Sequence, residues 1–142
     1  MRALAALLAL ALAGEAAAQG ARGRVAPEAA APSAPAEPLT EAERAAFRAA
    51  VVPCWLPPPL PLGSREASVT LSFDLDGAAR PDPDSFEIER HAAPDTVAAV
   101  EQFVAARRAV LRCGREGYPL PPEKRAAWSR VVMTFDADGS AR

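Results

Sequence analysis

The period of the hydrophobic positions changes along the chain, and each change marks an element. Thr40-Glu41-Ala42-Glu43 is a capping box, and Phe47, Ala50, Val51 and Cys54 follow at spacings of three and four. They predict a helix from 40 to about 52, closed by Pro53, with Cys54 turned inward. Pro57, Pro58, Pro59 and Pro61 then enforce an extended connector. From 68 to 75 the period is two: Val69, Leu71, Phe73 and Leu75 alternate with Ser68, Thr70, Ser72 and Asp74, predicting a strand with one buried and one wet face. Asp76-Gly77 signals a reversal, and a weaker strand over 85–90 should turn Phe86 and Ile88 inward after an irregular approach through Pro81 and Pro83.

Beyond Asp95, an expected N-cap, the period returns to 3.6. Val97, Val100, Val104 and Leu111 form the expected core stripe of a long helix, flanked by Phe103 and Val110, with Gly114 at a left-handed C-cap. Arg107 falls in the middle of that stripe, where it must snorkel to an edge or pair with a buried acid. The last strand, 130–135, places Val131, Met133 and Phe135 on one face. It ends in Phe135-Asp136-Ala137-Asp138-Gly139-Ser140-Ala141-Arg142, a near-copy of Phe73-Asp74-Leu75-Asp76-Gly77-Ala78-Ala79-Arg80. Shared turn chemistry at two strand ends accounts for the likeness.

The N-terminus obeys neither period. Arg2, an apolar run over 3–13 and Ala16-Ala17-Ala18 have the layout of a secretory signal peptide over 1–18, cleaved after Ala18. The run is roughly half the ~20 residues a membrane-spanning helix needs; a retained anchor is the alternative. Pro27, Pro32, Pro35 and Pro38 lie among alanines in 19–38, which reads as a disordered tether. The folded domain is expected over 39–142, in an exported, periplasmic protein.

Composition narrows the chemistry. A net charge of −2 argues against sequence-independent nucleic-acid binding, and one histidine with two cysteines is too few soft ligands for an ordinary zinc site. In an exported chain the pair Cys54 and Cys113 is expected as a structural disulfide, closing a loop for ~4 kcal/mol on the chain-entropy model. Asp74, Asp76, Asp82, Asp84, Asp136 and Asp138 cluster at the turns. Paired carboxylates can serve glycoside hydrolysis or calcium binding, but the distal glutamate of an EF-hand loop is missing. Turn formation is the simpler reading. His91 is expected exposed at a strand end, with no nucleophile motif beside it. No cofactor, metal or catalytic residue is assigned. Arg107, Arg108, Arg112 and Arg115 are the one basic concentration, with Glu101, Arg108 and Arg112 on an outward face; an ordinary solvated stripe and an acidic partner are the two readings.

With the order helix, strand, strand, long helix, strand in hand, 39–135 resembles the C-terminal domain of TolA- and TonB-like envelope proteins, in particular the alphaproteobacterial TolA type. The likeness rests on Leu39-Thr40-Glu41-x-Glu43-Arg44, Cys54-Trp55, Val69-Thr70-Leu71, Asp76-Gly77, Ala105-Ala106-Arg107-Arg108-Ala109, Arg112-Cys113, Tyr118-Pro119-Leu120-Pro121-Pro122-Glu123-Lys124 and Trp128. The resemblance implies an α+β fold, a small three-stranded antiparallel sheet with helices packed on one face. It also implies a non-enzymatic periplasmic module that binds partners by strand addition in the Tol-Pal or TonB-dependent systems, serving envelope integrity or transport. A crossover through the long helix puts the last strand on the far side of the first, at a sheet edge. The expected partner-binding edge is therefore Arg130, Val131, Val132, Met133, Thr134 and Phe135, with backbone bonds from Arg130, Val132 and Thr134 or their neighbours. Full-length transducers carry a membrane anchor and a long spacer, whereas a cleaved signal would leave a free binding domain here. The alternative is a small secreted enzyme or inhibitor-like protein that uses the acidic turns.

Overall fold

The computed structural model describes residues 35–60 and 66–142. The signal peptide, most of the tether and part of the proline connector lie outside the described residues. Helix α1 (Glu41–Val51) opens on the capping box: the Thr40 hydroxyl accepts from the Glu43 amide at 3.2 Å, and the Glu43 carboxylate accepts from the Thr40 amide at 2.6 Å. A 3-10 turn (Val52–Cys54) follows, as Pro53 requires. Phe47 and Val51 are buried, with Ala50 and Cys54 half-buried beside them.

Strands β1 (Ser68–Asp74), β2 (Glu87–His91) and β3 (Arg130–Asp136) form one antiparallel sheet in the order β2-β1-β3. With helices α2 (Thr96–Cys113) and α3 (Arg125–Trp128) the fold is a small α+β domain. The wet face expected of β1 is closed. Thr70 and Ser72 are buried, the first sharing a 2.8 Å hydroxyl bond with Thr134, the second accepting from the Arg130 guanidinium. A central strand has neighbours on both sides, and short hydroxyls paired across it satisfy burial that the alternation alone did not reveal.

Of the two residues expected inward on the second strand, Phe86 packs against the core and Ile88 does not. Ile88 is 40% exposed, and every residue of β2 faces solvent. Its pairing with β1 breaks register between Thr70 and Leu71, and α2 packs against β1 instead. Phe86 precedes the strand, half-buried and stacked on Phe73 at 5.0 Å.

The phase of α2 is also reversed. Asp95 caps it as expected, accepting from the Ala98 amide. Its buried face, however, is Ala98, Ala99, Gln102, Ala106, Ala109 and Val110, while Val97, Val100 and Val104 point to solvent. Small alanines allow the helix axis to approach the sheet closely, so the bulkier valines fall on the outside. Arg107 thus stands within an outward row. It donates to the Pro83 carbonyl at 2.8 Å and sits over the Phe86 ring at 5.5 Å, tying the segment before β2 to the helix.

Gly114 ends α2 at φ −87°, not left-handed. Its hydrogen is needed for packing: a Cβ there would lie 2.6 Å from Pro81 and from the Tyr118 ring. The left-handed residue comes later, at Gly117.

The core joins Phe47, Val51, Trp55, Leu71, Phe73, Tyr118, Trp128 and Phe135. Trp55 meets Phe135 edge-on at 5.1 Å and donates its indole N–H to the Asp136 carbonyl. The disulfide Cys54–Cys113, with Cα atoms 5.9 Å apart, fixes the chain just before Trp55 to the end of α2. Among the described residues no helix is long and apolar enough to cross a membrane.

Candidate partner-binding edge

Strand β3 lies at the sheet edge, with its inner side bonded to β1. Val131, Met133 and Phe135 form the tightly bonded pairs with Phe73, Leu71 and Val69, so the backbone groups of Arg130, Val132, Thr134 and Asp136 turn outward. Those of Thr134 and Asp136 are occupied. The Thr134 amide donates to the Arg142 carbonyl at 2.7 Å, the Arg142 amide returns a bond at 2.9 Å, and the Asp136 amide donates to Ser140. The chain reverses after Asp136 and covers half of its own edge. Thr134 is therefore corrected: it is not an open pairing position, and the outward groups left open are those of Val132 and Arg130. The Val132 side chain is 62% exposed.

Beside this open half lies a groove of about 200 Å³ between α1 and β3. Phe47, Leu120, Trp128, Val131 and Met133 supply its apolar lining, and Arg44, Arg48 and Arg142 its charge. Arg44 and Arg48 share the Glu41 carboxylate, which Arg48 first and Arg44 second hold below its ordinary range. Arg142 pairs with Asp136. An unpaired strand edge next to an apolar groove with a cationic rim can take an extended peptide, bonding its backbone at Val132 and receiving an alternate side chain in the groove.

Arg130 closes the other end. Its guanidinium reaches across β1 to Asp74, Ser72 and Glu87 at 3.0, 2.8 and 2.6 Å, and these carboxylates raise its pKa, Glu87 foremost. One side chain thus bridges the three strands.

Lys124 ties the segment before α3 to α1 and to the chain that precedes it. Its ammonium lies 3.0 Å from Glu43 and 3.2 Å from Glu37, almost fully enclosed, and Glu43 raises its pKa. Trp128 follows on α3, donating to the Pro121 carbonyl at 2.7 Å. Neither Lys124 nor α3 had a periodic signal in the sequence; a four-residue helix is too short to show one. The returning tail did have one, since the Asp138-Gly139 reversal directs the chain back along β3.

The other candidates fall to turn roles. Asp76 accepts from the Arg80 and Ala78 amides, the Arg80 bond being the main cause of its lowered pKa; Asp138 is lowered chiefly by the Ser140 hydroxyl. Asp82 accepts from the Asp84 amide, and His91 is exposed at the end of β2. Among the described residues no three His, Cys, Asp or Glu side chains are arranged to hold a metal ion. No protein-family model, curated protein or solved structure matches the chain.

Proposed function

We propose that this chain is a non-enzymatic, exported protein-binding domain of the TolA/TonB C-terminal kind, which receives an extended segment of an envelope protein along the open half of β3. The observation that carries the reading is the edge itself: outward backbone groups at Val132 and Arg130, flanked by an apolar groove with arginines on its rim. Strand addition takes its affinity from such backbone groups and its selectivity from the groove. The Tol-Pal and TonB-dependent systems are the partners of choice through the family resemblance.

The test is titration of isotopically labelled protein with extended peptides from those systems. Amide shifts should concentrate at 130–133 and in α1. Val132→Pro removes an outward N–H that the sheet does not use, so it should weaken binding at least about tenfold while changing stability by less than ~1 kcal/mol. Saturation with such a peptide that leaves the β3 amides unmoved rejects the edge. Export is tested separately, by recovery of a chain beginning at Gln19 from periplasm.

A further inference from the structure

The outward face of α2 carries a pattern that the strand-edge reading does not use. Val97, Val100, Val104, Arg107 and Leu111 follow the alternating three- and four-residue spacing of a helix-pairing seam. Val97 is 68%, Val100 47% and Val104 44% exposed, the upper end of a row with no cover among the described residues. Toward the C-terminal end the row enters a surface hollow of about 400 Å³ between Val104, Leu111 and the side chains of Arg107, Arg108, Arg112 and Arg115. None of the four arginines forms an ion pair with a described residue. At the N-terminal end the charge is opposite, with Asp95 and Glu101 exposed.

We propose that this face binds a second copy of the chain, the two α2 helices packing antiparallel across a twofold axis at Val104. Reflection about that point exchanges the two ends of the row and sets its other members, Val100 and Arg107, opposite Arg108 and Glu101. Val104 meets Val104, Val97 lies opposite Leu111, Glu101 opposite Arg107 and next to Arg108, and Asp95 opposite the Arg112 turn. A twofold contact requires such reciprocity, because residue i must suit residue j and j must suit i. Antiparallel pairing also lays each acidic end on a basic end. An anionic lipid surface would attract one end of the row and repel the other, so a second copy answers the whole face and a lipid surface only part of it. About four turns of helix make a small contact, and the dimer belongs to the transient class.

Sedimentation velocity of the full chain with its disulfide closed, from about 10 µM to 1 mM, should show a concentration-dependent monomer–dimer equilibrium. Val104→Glu sets two carboxylates against each other at the axis and should give monomer throughout; because Val104 is half-exposed, an unchanged amide spectrum elsewhere is expected. Arg108→Glu and Glu101→Arg should each weaken the dimer at least about tenfold, and the two together should restore it to within about threefold. Monomer at every concentration overturns the proposal. So does a dimer that survives Val104→Glu but is lost in Val132→Pro, which would place the contact at the sheet edge. Wild-type monomer that instead binds anionic phosphatidylglycerol vesicles assigns the face to lipid. The strand-edge reading is tested apart, since Val104→Glu must still bind the peptide.

Discussion

Two turns of nearly the same sequence reach the same geometry by different means. After β1, the Asp76 amide bonds the Arg80 carbonyl and the Ala79 amide bonds the Asp76 carbonyl. After β3, Asp136 and Ser140 form the first of these bonds, and Gly139 and Asp136 the second. The ring is identical but displaced by two residues against the sequence repeat, which aligns Asp76 with Asp138. A slip of two leaves every side chain on its own sheet face, so the displacement does not disturb the strands. It does change which residue takes the left-handed position: Gly139 at φ 93° in the second turn, Ala79 at φ 57° in the first. Ala79 is buried and its carbonyl accepts from the Tyr118 amide, so tertiary contacts hold a conformation its side chain disfavours. Gly139 has nothing within 4 Å of where a Cβ would be. One turn is imposed by its surroundings, the other by its own glycine.

That contrast orders the expected effects of substitution, read as urea-unfolding free energies. Gly117→Ala should be the most damaging, about 3 kcal/mol or more, because its Cβ would stand 2.3 Å from the Ala78 carbonyl oxygen at φ 93°. Gly114→Ala crowds Pro81 and Tyr118 behind the same turn and should cost about 1–3 kcal/mol. Gly139→Ala meets only backbone strain, about 1 kcal/mol, and should speed hydrogen exchange at Thr134 by loosening the tail. A cost for Gly139→Ala equal to that of Gly117→Ala would erase the distinction. Ala79→Gly should be nearly neutral, relief of its φ offsetting loss of a buried methyl within about 1 kcal/mol. The smallest effect is shared by both turns. Asp76 and Asp138 are held below their ordinary 3.8, so their contribution is present above that value and lost as pH falls through the folded pKa. Carboxyl NMR should find both titrating below 3.8.

Elements with a local cause were legible in the sequence. The α1 capping box, the Asp95 cap, the end of α1 at Pro53 and the reversals after β1 and β3 each follow from residues within a few positions. The cysteine pair was legible because two cysteines in one chain have a single intramolecular pairing, and the strand order because a helical crossover constrains it. Long-range choices were not. The period of α2 was right and its phase wrong, since hydrophobicity favours valine as the core face while close approach to the sheet favours alanine. The same limit hid the buried Gln102, whose amide has no partner among the described residues. At the candidate site, Val132 could be placed on an edge by topology, but the bond from Thr134 to Arg142 depends on where the tail turns.

Lys124 is the single lysine in 142 residues, and its ammonium is enclosed by Glu43 and Glu37. An amine-directed reagent applied to the folded protein therefore meets the chain's α-amino group and little else. Lys124 becomes reactive when α1 separates from the segment leading into β3. The fold thus carries its own chemical gauge of opening: the extent of acylation at one side chain, read by mass, measures how often this half of the domain comes apart.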